Sequence, residues 1–101
     1  MSKAIFYCSF KLKKGASVPD FLLAAEKLNN EYISKQKGYI SWQQLNDGDT
    51  WADILTFDSM ENVKSFEANA GSSGELAEKF YSFINLNSCK VNYFNVERSY
   101  G

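Results

Sequence analysis

Near the middle of the chain, Asp47-Gly48 stands between two apolar runs, "YISWQQLN" and "TWADILTFD". Asp-Gly in that setting is among the strongest short-range signals for a β-hairpin, because both central residues of the turn tolerate positive φ. The centre of the chain is therefore an antiparallel strand pair, and whatever lies on either side must pack around it. A two-residue turn at Asp47-Gly48 sets Asn46 opposite Asp49 and Trp42 opposite Asp53. An aspartate between a tryptophan and an aliphatic run, in a strand that otherwise reads as buried, is costly unless it is hydrogen-bonded or protonated.

The flanks complete the pattern. Ala4, Phe6, Cys8, Phe10 and Leu12 alternate with Ile5, Tyr7, Ser9 and Lys11, which predicts a strand over 4–12. After "KKGAS", Ser17 and Asp20 form a capping-box-like start with Pro19 in the first turn. Val18, Phe21, Leu22, Ala25, Leu28, Tyr32 and Ile33 then fall at helical spacing, and the helix is expected to run about five turns to Gly38. Beyond the hairpin, Asp58 or Ser59 with Glu61 or Asn62 caps a second helix carrying Val63, Phe66 and Ala70. "GSSG" at 71–74 interrupts it as a loop, without the strand, helix and lysine context of a phosphate-binding loop. A further helical piece brings Leu76, Phe80, Phe83 and Ile84 to one face, and "CKVNYFNVERSY" reads as a last strand. The order is β-α-β-β-α-β over residues 1–101 as one domain, an α+β ferredoxin-like split with a four-stranded antiparallel sheet.

Charge and composition narrow the function. With 11 basic against 12 acidic residues the net charge is −1, so there is no electrostatic footprint for nucleic acid or an anionic membrane. No apolar run approaches 18 residues and no signal-peptide pattern opens the chain, so a cytoplasmic protein is expected. The absence of histidine removes the usual zinc ligand and the imidazole of nucleophile pairs. Neither zinc nor another metal is expected. Cys8 and Cys89 read as apolar fillers. Pairing the middle of 4–12 with the middle of 89–98 sets Cys89 opposite about Leu12. That is roughly 14 Å from Cys8 and beyond the ~7 Å limit for a disulfide.

A ferredoxin-like sheet covered by helices on one face alone should alternate apolar with polar residues. Here the first strand is apolar or aromatic in both phases at 5, 6, 7, 8 and 10. The third has Trp51, Leu55 and Phe57 in one phase and Ala52 and Ile54 in the other. Such a face packs on a partner sheet or stacks on nucleic-acid bases. The RNA-recognition signature needs a basic residue, glycines and spaced aromatics on the third strand, whereas "WADILTFD" offers two acids and no base. A homodimer is the preferred reading.

With "KGYISWQQLNDGDTWADILTFDSMENV" at its centre, the chain resembles the dimeric α/β-barrel superfamily in its antibiotic-biosynthesis-monooxygenase-like branch, over essentially residues 4–100. The resemblance implies two sheets closed face to face and a small-molecule cleft between sheet and helices in each monomer. It also implies a range of activities that includes cofactor-free oxygenases, heme-degrading enzymes and isomerases. Phe57 stands where many relatives carry an aromatic that closes the cleft, and Phe66 near a second ligand-contacting aromatic. Heme-degrading relatives carry an iron-ligating histidine around Phe80 and Tyr81. With phenylalanine and tyrosine there, neither heme nor any other cofactor is expected.

The candidate residues each admit a chemical and a structural role. Asp53 is either a general base toward a phenolic or enolic substrate, as a cofactor-independent monooxygenase of aromatic or polyketide-like molecules requires, or a carboxylate held for structure. Trp42 and Trp51 line an aromatic-ligand cleft or fill the core or the interface. Tyr7 and Tyr81, with Tyr32 and Tyr93, orient an oxyanion or sit at the core edge. Arg98, the only guanidinium, grips a carboxylate or quinone oxygen or forms a rim ion pair. A non-catalytic small-ligand or stress-associated binding protein uses the same aromatics.

Overall fold

The computed structural model describes residues 2–101. Strand β1 (Ala4–Leu12) leads to helix α1 (Val18–Glu31), hairpin strands β2 (Tyr39–Asn46) and β3 (Trp51–Phe57), helices α2 (Met60–Ala68) and α3 (Glu75–Tyr81), and strand β4 (Ile84–Asn95). The four strands form one antiparallel sheet in the order β2-β3-β1-β4, as the ferredoxin-like reading requires. Two short 3-10 turns, Ile33–Lys35 and Ala70–Ser73, punctuate the chain, the second at the "GSSG" break.

Helix starts follow the sequence closely. Ser17 accepts from the Asp20 N–H at 3.3 Å and Ser59 from the Asn62 N–H at 3.2 Å, each satisfying one donor that the first turn leaves free. The end of the first helix does not. α1 stops at Glu31, short of the expected Gly38, and a 3-10 turn carries the chain on. Gly38 has φ of +81° and passes so close to the start of α2 that a Cβ there would collide with the Asp58 and Asn62 side chains. Its carbonyl accepts from the Asp58 N–H at 2.9 Å. The glycine therefore serves a close crossing between loop and helix, while the helix ends a turn and a half earlier at Tyr32.

The hairpin register also differs from the expected one. Asp47 Oδ1 accepts from the N–H groups of Asp49 and Thr50 at 3.1 and 2.8 Å, and the Asp47 N–H donates to the Thr50 carbonyl. This side-chain clasp widens the loop to four residues, so that Asn46 pairs with Trp51 and Gln44, not Trp42, lies opposite Asp53. Because the slip is by two residues, every side chain keeps its face. Trp42 remains a diagonal neighbour of Asp53 on the same side of the sheet.

The core lies between the sheet and the helices. Phe10, Phe21, Phe57, Val63 and Ile84 are fully buried, with Ala4, Ala25, Leu28, Ile33, Leu55, Phe66 and Phe80 around them. α1 contributes Phe21, Ala25 and Leu28, while Val18 and Leu22, expected on its apolar face, are 41% and 42% exposed. On the opposite sheet face Leu45, Ala52, Ile54, Ile5, Tyr7 and Phe94 sit together by register, and Phe94 is 51% exposed.

Candidate functional site

Between sheet and helices a cleft of about 200 Å³ opens over the middle of β1 and β3. Its wall is aromatic and aliphatic, with Phe6 and Phe10 from β1, Leu55 from β3, Phe66 from α2, Phe80 from α3 and Ile84 from β4. The rings brace one another. Phe66 packs on Phe6 and Phe57 at centroid distances of 5.9 and 5.3 Å, and Phe80 packs on Trp42 at 5.6 Å and on Tyr81 at 5.4 Å.

Into this wall β3 delivers Asp53, which is 6% exposed and the only charged residue among the buried ones described. It pairs with Cys8 on one side and with Gln44 on the other. Gln44 Nε2 donates to Asp53 Oδ1 at a long 3.4 Å. Burial pushes the Asp53 carboxyl up to about 7, because desolvation of the charged form outweighs the opposing Trp42 indole and Gln44 amide. The Trp42 N–H comes near enough to lower that value, yet Trp42 Nε1 is buried without any hydrogen bond of acceptable geometry. Asp53 is therefore a carboxyl whose charged form is disfavoured by burial, in a mainly apolar cleft whose other polar lining is Cys8, Cys89, Tyr81 and the exposed Glu67.

Cys8 and Cys89 line the same cleft, a correction to the expected separation. Cys8 pairs with Val91, so Cys89 is a diagonal neighbour instead of lying four residues along; a bulge between Ser9 and Lys11 moves the strand end, and Leu12 meets Ile84. Both thiols are free, and each shifts the other's ionisation. Burial, then the negative charges of Cys89 and Asp53, push Cys8 up to about 12, and burial raises Cys89 as well. Tyr81, 45% exposed at the cleft edge, has its phenol raised by burial and then by Cys8 and Asp53.

Of the candidates from sequence, Asp53, Trp42, Phe66, Phe80 and Tyr81 converge on the cleft. Phe57 lies beneath it, fully buried against Phe66, and Trp51 packs on Phe21 at 5.2 Å. Tyr7 is on the opposite sheet face, against Phe94 at 6.2 Å. Arg98 is exposed in the tail beyond β4 and makes no ion pair among the described residues. Sequence reading missed Phe6 and the thiols as cleft groups and Gln44 as the amide that bonds to Asp53. Cys8 shares the phase of Phe6 and Phe10, but only the β1–β3 register reveals that it faces Asp53. A broader groove of about 1080 Å³ beside α1 and α3 is lined by exposed or half-buried residues such as Lys27, Glu31, Glu75 and Glu78, and brings no buried polar group together.

No family model matches the sequence, and no curated protein matches it. Solved structures do match. SnoaB, a cofactor-independent oxygenase from Streptomyces nogalater, superposes with a TM-score of 0.75 at 11% identity over 98% of this chain and 97% of that one. A Bordetella bronchiseptica protein provisionally described as an antibiotic biosynthesis monooxygenase gives 0.75 at 8% identity, over 93% and 96%. The fold shared with these structures is the ferredoxin-like one. A dimeric ferredoxin-like protein of unknown function from Bacteroides fragilis shares it at 0.64 and 15% identity, over 95% and 98%. At these identities the similarity is one of fold, and chemistry must be argued from the cleft.

Proposed function

We propose that the protein is a homodimer that binds a small aromatic or polyketide-like molecule in the cleft and oxygenates it without a cofactor. The observation that carries this reading is Asp53: a carboxyl at about 7, nearly inaccessible to solvent, set in an aromatic-walled cleft of ligand size. A general base works best when its pKa lies near the operating pH, and burial has moved Asp53 there. SnoaB, cofactor-independent by description, supports the same reading through a shared fold.

In this scheme Asp53 removes a proton from an acidic phenol, enol or activated methylene. The resulting anion passes one electron to dioxygen, and radical recombination forms a carbon–oxygen bond as a hydroperoxide. Loss of water then leaves a carbonyl. For a methylene the balance is CH₂ + O₂ → C=O + H₂O. The substrate supplies all four electrons, one oxygen atom enters the product and the other leaves in water. Dimerisation buries the second sheet face through Tyr7, Ile54 and Phe94, whose exposure on a lone chain is otherwise unfavourable.

Oxygen consumption against a panel of single-ring quinols and enols tests the activity. Turnover by the native protein that falls at least 100-fold in Asp53→Asn is expected. Saturable binding with no oxygen uptake would overturn the catalytic reading in favour of a ligand-binding protein.

A further inference from the structure

Trp42 Nε1 is the one buried side-chain nitrogen or oxygen among the described residues that has no hydrogen-bond partner. An unpaired buried donor is destabilising, and natural cores rarely keep one without a use. This donor belongs to the cleft wall, diagonally across the β2–β3 pair from Asp53, whose carboxylate it approaches without an aligned hydrogen bond and which otherwise accepts only the long bond from Gln44. A misaligned donor and an under-used acceptor thus lie side by side on one face of one cavity.

We propose that the cleft is built for a single-ring phenol or enol whose hydroxyl is held at two points, donating to Asp53 and accepting from Trp42 Nε1. The inference rests on the reading of the cleft as a ligand site and adds the class of ligand. A hydroxyl is the smallest organic group that both donates and accepts through one atom. A ketone would satisfy only the indole, and an ammonium only the carboxylate. A carboxylic acid is ionised at neutral pH and has no proton to donate to Asp53. The ring is required by the walls, since Phe6, Phe10, Phe66 and Phe80 offer aromatic surface around the polar pair.

Volume sets the number of rings. A cavity of about 150 Å³ holds benzene. About 200 Å³ therefore accommodates one ring with one or two small substituents, and excludes three fused rings while Tyr81 keeps its place at the edge.

The test is calorimetric titration with 4-ethylphenol, its methyl ether 4-ethylanisole, ethylbenzene and 1,8-dihydroxyanthrone, on the native protein and on Trp42→Phe. The native protein should bind 4-ethylphenol at least 10-fold more tightly than the ether or the hydrocarbon, and the anthrone more weakly still. Trp42→Phe, which keeps an aromatic ring against Phe80, should lose most of that preference while binding ethylbenzene within about threefold of native. Should Trp42→Phe fail to fold, Trp51→Phe leaves Trp42 as the sole indole, and 4-ethylphenol but not 4-ethylanisole should shift its emission. Equal affinity for phenol and ether, or equal effects of the two on that emission, would overturn the two-point hold while leaving the ligand site standing. Binding of none of the four probes would overturn the ligand site itself. Preference for the anthrone would overturn the size limit.

Discussion

Gln44 Nε2 reaches Asp53 Oδ1 across the β2–β3 pair at 3.4 Å, at the long limit of a hydrogen bond. A short bond to a charged donor would hold the carboxylate ionised, and a long bond from a neutral amide does not. The balance therefore falls to desolvation, which outweighs the Trp42 indole and the Gln44 amide and pushes the carboxyl up to about 7.

That shift has a stability signature whose sign is fixed. Between pH 4 and 7 the folded protein holds a proton on Asp53 that the unfolded chain has released, so stability falls as pH rises through this window. The Asp53 contribution is fully present below the unfolded pKa and is lost above about 7, a difference on the order of 4 kcal/mol. Asp53→Asn should flatten this part of the profile and be more stable than native at pH 8, by a Tm gain of at least 5 °C. Thermal melts at half-unit intervals from pH 4 to 8 would show it, and parallel curves for the two proteins would argue that Asp53 is ionised in the native state.

Phe21 is fully buried and meets Phe10, Trp51, Phe80 and Phe83 at centroid distances of 5.9, 5.2, 5.2 and 6.0 Å. It ties α1 to the sheet and to α3. Phe21→Ala should cost about 3–5 kcal/mol in urea unfolding, from lost burial and the cavity left behind. Leu23→Ala, two residues on and 64% exposed, should change stability by no more than about 0.5 kcal/mol. Similar losses at both positions would mean that α1 packs on a different face.

The open sheet face carries the Tyr7–Phe94 contact at 6.2 Å, on residues that pair through Ile5↔Phe94 and Tyr7↔Asn92. If a second copy covers this face, sedimentation at micromolar concentration should report about twice the 11.5 kDa chain mass. Phe94→Lys would place a charge on that apolar face, and should weaken association at least 100-fold while the far-ultraviolet spectrum stays native. A native protein sedimenting as a monomer would leave the apolar face without its proposed partner.

The strand order, both helix caps and the break at "GSSG" were legible because each rests on local chemistry: alternation, a hydroxyl three residues before an N–H, a run of glycine and serine. What local chemistry cannot show is register. The Asp47 side chain decides whether the hairpin loop has two residues or four, and that choice moves Asp53 from Trp42 to Gln44. The β1–β4 register, with Cys8 opposite Val91, likewise brings Cys89 to a diagonal of Cys8, which no pairing of strand midpoints anticipates. The end of α1 differs from the spacing pattern for a related reason, since Gly38 is fixed by a crossing with Asp58 and Asn62, twenty and more residues away. Asp53 stood out from sequence as an acid in an apolar strand. Arg98 stood out only by being the sole arginine, which says nothing about where a tail lies.

The cysteines provide the sharpest check on the β1–β4 register. As diagonal neighbours their Cα atoms should be roughly 7–8 Å apart, just past the reach of an unstrained disulfide, with both thiols turned into the cleft. Alkylation proceeds through the thiolate, and Cys8 at about 12 supplies almost none at pH 8. In native protein at that pH, iodoacetamide should modify Cys8 at least 100-fold more slowly than in denaturant, with Cys89 also slowed. After unfolding without reductant, both should alkylate completely, and the intact mass should rise by two adducts. Rapid native labelling of Cys8, or a recovered Cys8–Cys89 bridge, would mean that β4 pairs with β1 in another register.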